Sequence, residues 1–199
     1  KDHQAVFHVD AVQAIGKMAI HPEEMNIDFL SASAHKFHGP KGVGFLYSTP
    51  HHVDNLFHGG EQEEKRRAST ENIIGIAGLS QALTDSYLAW NKNFEYIQNL
   101  NQIFLDELTP VDYYINGEMD RIPHVLNLGF VNQNNGILLT QLDLNGFAVS
   151  TGSACTAGTV DPSHVIQALY GKDSDKLKTA IRISLSEENT AEELQALAE

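Results

Sequence analysis

SASAHKFHGPKG, residues 31–42, joins two strand-like runs through a turn. Residues 27–33 predict the first strand and residues 42–47 (GVGFLY) the second, with His38-Gly39-Pro40-Lys41 as the turn between them. Residues 6–9 predict a third, short and buried, strand upstream. Lys36 stands in a run of small residues at a strand end. A lysine whose site lowers its pKa forms a Schiff base with a carbonyl cofactor, although an exposed lysine in a turn has the same local sequence.

Working outward, residues 51–72 (HHVDNLFHGGEQEEKRRASTEN) are polar and hold a Gly-Gly pair, so a long ordered loop is expected there. Ile76, Leu79, Leu83, Tyr87, Trp90, Phe94, Ile97, Leu100 and Phe104 then recur at spacings of three and four. That spacing predicts a helix over 73–108, ended by Pro110. Two helices meeting near residues 90–93 satisfy the same spacing. The remainder alternates: strands over 113–115, 125–128, 148–150 and 181–185, and helices over 136–144 and 162–169. Asp161 is read as an N-cap, with Pro162 at the first helical position. Thr190 and Glu193 spell a capping box for a last helix. This alternation predicts an α/β chain of two domains, 1–90 and 91–199.

Composition narrows the function classes. Of 199 residues, 42% are hydrophobic and 20% charged, an ordinary globular balance. The net charge of -13 argues against direct nucleic-acid binding, which concentrates Lys and Arg. No apolar run approaches the roughly 20 residues of a membrane helix. Cys155 is the single cysteine, so no internal disulfide forms and a reducing, cytoplasmic setting is expected. The ten histidines show no spacing that makes a metal site. The first residue is not a methionine and a strand follows at once, which suggests a fragment of a longer protein.

Three further features carry chemistry. HVDAVQ, residues 8–13, sets Asp10 at a strand end with Gln13 three residues on. A carboxylate facing a pyridinium nitrogen keeps it protonated and the ring electron-withdrawing, while a helix cap uses the same aspartate. STGSACTAG, residues 150–158, surrounds Cys155 with Gly, Ser and Ala, unlike the apolar neighbours of a core cysteine. Arg182 interrupts the apolar strand IRISL. A buried guanidinium needs a partner, either a substrate carboxylate held bidentately or an internal salt bridge.

Taken together, HVDAVQ, SASAHKFHGPKGVGFLY, GGEQEEKRRASTEN, STGSACTAG with DPSHV, and IRISLSEENTAEEL resemble the cysteine desulfurases. These are class V members of the fold-type-I pyridoxal-phosphate enzymes. The resemblance runs from about residue 6 to the C-terminus, with five motifs in family order. It implies part of the large cofactor domain followed by a small C-terminal α+β domain, in a homodimer. It also implies that Lys36 holds pyridoxal 5'-phosphate, that Asp10 pairs with the pyridine nitrogen, and that Gln13 bonds the ring hydroxyl. Ser33 and His35 contact the phosphate, and His35 stands with Lys36 and Cys155 among the catalytic candidates. Thr70 reaches the phosphate of the other subunit, and Arg182 holds the carboxylate of L-cysteine. Cys155 takes the substrate sulfur as a persulfide and passes it to an acceptor protein, an iron–sulfur scaffold or a tRNA-thiolating enzyme.

Three positions depart from the family pattern. Glu61 stands for a third glycine, Ser69 for the glycine before Thr70, and Ser186 for the glycine after the IRISL strand. The family's N-terminal half, with its phosphate loop and ring-stacking side chain, is not part of the sequence. Other class V activities, aminotransferase or selenocysteine lyase, and an inactive dimerisation module stay open as alternatives.

Overall fold

The computed structural model describes residues 5–50, 53–117, 121–151 and 163–199. The chain divides into two compact units, Lys1–Asn91 and Lys92–Glu199.

In the first unit, β1 (His8–Asp10), β2 (Phe29–Ser33) and β3 (Gly44–Ser48) form a sheet in that order. β1 runs parallel to β2, with Val9 opposite Leu30 and Asp10 opposite Ser31. β2 and β3 are antiparallel, with Ala32 opposite Phe45 and Ser33 opposite Gly44. A Cβ on Gly44 would lie 2.3 Å from the Ala32 carbonyl oxygen, so only glycine admits this closeness of the two strands. Ala11, Ile15, Ile27, Leu30, Ala32, Ala34, Phe37 and Leu79 form the core. The first strand begins at His8 rather than at residue 6, although the Phe7 carbonyl already accepts from the Asp28 and Phe29 amides. The third begins at Gly44 because Gly42, at φ +78°, still belongs to the turn.

Inside the expected loop lies α1 (Gln62–Lys65), a single turn whose Glu63 and Glu64 take left-handed dihedrals. A run of non-glycine residues at positive φ is invisible to helical periodicity and is costly for each residue. The spacing over 73–108 resolves to one helix, α2 (Ile73–Glu107), rather than two. Its start is secured by Asn72, whose Oδ1 accepts from the Gly75 amide at 3.0 Å.

The second unit is built on β4 (Tyr113–Ile115), β5 (Val125–Phe130) and β6 (Ala180–Ser184), all antiparallel neighbours in that order. Side chains alternate between the two faces. One face carries Tyr113 with Phe130, Ile115 with Leu128 and Ile181, and Leu126 with Ile183. These pack with Ile97, Leu100, Phe104 and Leu194 into the core of the unit. The other face carries Tyr114 with Gly129 and Ala180, then Asn127 with Arg182. The Tyr114 ring lies where a Gly129 side chain would stand.

Three helices complete the unit: α3 (Asn135–Leu144), α4 (His164–Tyr170) and α5 (Ala191–Ala198). α3 is capped by Asn134, and α4 by the Ser163 hydroxyl at the Ile166 amide. Ser163, not Asp161, is therefore the N-cap of α4; Asp161 and Pro162 lie outside the described residues. α5 opens with the Thr190–Glu193 capping box. Hydrogen bonds from the Asn189 side chain and the Thr190 amide hold the Glu193 carboxyl below its ordinary pKa. Its contribution to stability is thus present above the ordinary carboxylate range and is lost as pH falls through the lowered value. A 3-10 turn, Asp175–Lys178, was not evident in the sequence. Its Lys176 Nζ lies 4.3 Å and 4.2 Å from the ring centres of Tyr114 and Tyr170, a cation–π clamp that ties the segment around α4 to β4.

Phe104 is 2% exposed within the second core. Phe104→Ala is expected to lower the stability of this unit by about 3–5 kcal/mol, read by urea denaturation. A loss under about 1 kcal/mol would show that Phe104 is not part of a packed core.

Candidate active site

In open sheets with parallel strands, ligands gather beyond the carboxyl ends of those strands. β1 ends at Asp10 and β2 at Ser33, and the 3-10 turn Ala34–Lys36 follows directly. This turn is locked from inside. The Ala34 amide donates to the Val43 carbonyl, and the Ala34 carbonyl accepts from both Phe37 and Gly39. Phe37, 2% exposed, anchors the turn in the core. Between these anchors His35 is exposed and Lys36 half-buried.

Asp10 is exposed, and its Oδ1 accepts from the Val12 amide at 3.1 Å. No helix follows Asp10, since residues 12–17 form turns, so the helix-cap reading is not met; the bond is a local Asx-type turn on one carboxylate oxygen. Gln13 is exposed, its Oε1 3.5 Å from Lys17 Nζ. The Ser33 side chain makes no capping bond to the turn. Thr70 is exposed in the loop before α2, next to Ser69 at φ 90°. Among the described residues no side chain of Asp10, Gln13, Ser33, His35, Lys36 and Thr70 hydrogen-bonds the side chain of another. A carboxylate, a hydroxyl, an imidazole and an amine thus remain available at one sheet edge. Their chemistry fits a cofactor that offers a protonated ring nitrogen, a phosphate and an aldehyde.

Arg182 belongs to the second unit, at the centre of β6. Its backbone is held on both sides: Asn127 is its partner in β5, and Ser150 forms an isolated antiparallel bridge on the far edge. The Arg182 amide donates to the Ser150 carbonyl at 2.6 Å, and the Ser150 amide to the Arg182 carbonyl at 3.1 Å. The strand expected over 148–150 is reduced to this bridge, which still fixes where the chain leaves toward residue 155. Cys155 itself lies outside the described residues. The Arg182 Nε is buried with no hydrogen-bond partner, and no carboxylate pairs with this guanidinium among the described residues. Of the two readings of a buried arginine, the internal salt bridge is absent from that set.

Sequence reasoning missed Asn116 and Asn127. Asn116 Nδ2 donates to Asn127 Oδ1 at 2.7 Å, and the Asn116 amide to the Asn127 carbonyl at 2.8 Å. The signal was a lone Asn within VLNLGF, a polar residue in an apolar strand, as Arg182 is in IRISL. The cleft of ≈ 620 Å³ in the first unit lies elsewhere, lined by Val53, Asp54, Asn55, His58, Glu64, Lys65 and Arg66, and contains none of the candidate residues. Among the described residues no His, Cys, Asp or Glu cluster suits a metal ion, and no helix is long and apolar enough to cross a membrane.

Residues 1–197 match the family described as aminotransferase class-V. The Bacillus subtilis (strain 168) protein named "Putative cysteine desulfurase IscS 1" is 48% identical over 202 residues, covering 100% of this chain and 53% of that protein. A solved "NifS-like protein" superposes with a TM-score of 0.87 at 34% identity, over 100% of this chain and 52% of its own. A second solved structure, "SspA in complex with cysteine", gives a TM-score of 0.75 at 31% identity, over 92% of this chain and 51% of its own. The chain spans about half the length of these relatives.

A buried donor without a partner costs stability, about 1–3 kcal/mol in general. Arg182→Met keeps the length and removes the orphan Nε. The variant is expected to be as stable as the parent or more so, by up to about 1 kcal/mol in chemical denaturation. A clear destabilisation would mean that the guanidinium is a structural ion.

Proposed function

Because this chain belongs to the class-V aminotransferase family, we propose that it carries the cofactor lysine, the substrate-binding arginine and the sulfur-accepting cysteine of a pyridoxal-phosphate-dependent cysteine desulfurase. The observation that carries this reading is the gathering of Asp10, Ser33, His35 and Lys36 at the carboxyl ends of the parallel strands. It occurs in a chain 48% identical to a relative named for that activity. The solved relative in complex with cysteine supports the choice of substrate.

In this reading Lys36 holds the cofactor covalently. Asp10 keeps its ring nitrogen protonated and Gln13 bonds its ring hydroxyl. Ser33 and His35 bind its phosphate, and Thr70 reaches the phosphate of the second subunit in a homodimer. When bound, the cofactor supplies an electron sink for bonds at the substrate α-carbon. Arg182 pairs with the carboxylate of L-cysteine through charge-assisted hydrogen bonds. Displaced from the cofactor by the amino group of L-cysteine, Lys36 is freed as an amine that would move the proton at the α-carbon. The Cys155 thiolate attacks the substrate sulfur, so that the Cβ–S bond breaks and an S–S bond forms. The electron pair left on carbon is protonated, alanine departs, and Cys155 keeps a persulfide. Its acceptor is an iron–sulfur scaffold or a tRNA-thiolating enzyme in the cytoplasm. The two domains expected from the sequence divide the work in this reading: 1–90 as part of the cofactor domain, 91–199 as the domain of the cysteine.

Borohydride reduction of the full-length protein with pyridoxal phosphate, followed by peptide mapping, is expected to place the label on Lys36. Lys36→Ala is expected to lose that label and to lower alanine formation from L-cysteine by at least about 100-fold. Label on another lysine with Lys36 unmodified would overturn the assignment.

A further inference from the structure

The register of the second sheet produces a row that none of its strands shows alone. β4 and β5 pair with Ile115 opposite Leu128, and the Asn116 amide continues that ladder to the Asn127 carbonyl. Asn127 is opposite Arg182, and Arg182 is opposite Ser150. Asn116, Asn127, Arg182 and Ser150 therefore lie in one line across the sheet, all on the face away from the Ile115, Leu128 and Ile181 core. A polar row of this kind asks where its hydrogen bonds go.

Those bonds are incomplete in a patterned way. Asn116 is 8% exposed, and its Nδ2 engages Asn127 Oδ1. That bond occupies the acceptor of the Asn127 amide and leaves its Nδ2 as the end without a partner among the described residues. Next to it in the ladder, Arg182 Nε is buried and unpaired, as is Asn116 Oδ1. An amide pair serving only to stitch β4 to β5 would not leave a free donor beside an unpaired guanidinium. Two adjacent donor groups, one charged and one neutral, suit a carboxylate, whose two oxygens accept from both.

We propose that Asn127 is a second donor to the substrate carboxylate held by Arg182, and that Asn116 is the positioning residue that turns the Asn127 amide toward it. This rests on the role of Arg182 given under the proposed function. The Ser150 bridge completes the arrangement by holding the Arg182 backbone from the edge that β5 does not reach.

Asn127→Asp separates this role from a structural one. The aspartate still accepts from Asn116 Nδ2 but replaces the outward donor with an acceptor, which repels a carboxylate. In the full-length, cofactor-loaded enzyme, Asn127→Asp is expected to raise KM for L-cysteine by about 10-fold or more. kcat and the thermal midpoint are expected to stay close to the parent values. For L-cysteine methyl ester, which lacks the carboxylate charge, KM is expected to move by less than about 2-fold. Asn116→Ala is expected to raise KM for L-cysteine with kcat unchanged. If Asn127→Asp does not fold, Asn127→Ala replaces it with the same expectation. An unchanged KM for L-cysteine, or an equal rise for the ester, would overturn the proposal. Arg182→Lys serves as the reference. If it raises KM while Asn127→Asp does not, the Asn127 role alone is lost; if neither variant moves KM, the carboxylate reading of Arg182 is lost with it.

Discussion

An antiparallel ladder decides which face of the second unit Arg182 occupies. Because side chains alternate along a strand, a slip of one residue would exchange Arg182 with Ile181 or Ile183 and turn the core outward. Leu126, Leu128, Ile181 and Ile183 on the core face make that slip costly, and the Ser150 bridge repeats the register on the other edge of β6. The hydrophobic core thus pins a guanidinium that contributes nothing to it. In the first unit the same division holds: Phe37 is buried so that the two residues before it, His35 and Lys36, face outward on a closed turn.

The orphan polar atoms gain sense from this arrangement. Evolution tolerates unpaired buried donors and acceptors where function needs them, at a cost the surrounding core absorbs. Arg182 Nε and Asn116 Oδ1 lie in one row of one sheet. The ends of the chain leading to and from residue 155 are both secured, by the Ser150 bridge on one side and by the Ser163 cap and the Lys176 clamp on the other.

Much of the fold was legible in the residues themselves. The three-and-four spacing of Ile97, Leu100 and Phe104 marked α2, and Thr190 with Glu193 marked the start of α5. Element ends were less legible, for local reasons. Phe7 bonds to the next strand before the paired ladder begins at His8, Gly42 is held in a turn by its positive φ, and Ser163 rather than Asp161 caps α4. The left-handed turn at Glu63 and Glu64 has no sequence signature, since such dihedrals favour glycine. Register was the deepest omission. VLNLGF and IRISL each reveal one misplaced polar residue, but only their pairing shows that Asn127 and Arg182 are neighbours. The chemical roles proposed for Lys36, Asp10 and Cys155 rest on the resemblance of ordered motifs. Spacing alone left a turn lysine, a cap and a small filler as open readings.

Everything proposed for this chain depends on sulfur passing from L-cysteine to Cys155. The most direct measurement is a single turnover of the full-length enzyme with L-cysteine labelled in its sulfur, counting alanine and mapping the label by peptide without reductant. Transfer to Cys155 predicts equal amounts of alanine and protein-bound sulfur, with the label on the peptide that contains Cys155 and no bound label in Cys155→Ser. Alanine formed without bound sulfur, or label on a peptide lacking Cys155, would contradict it.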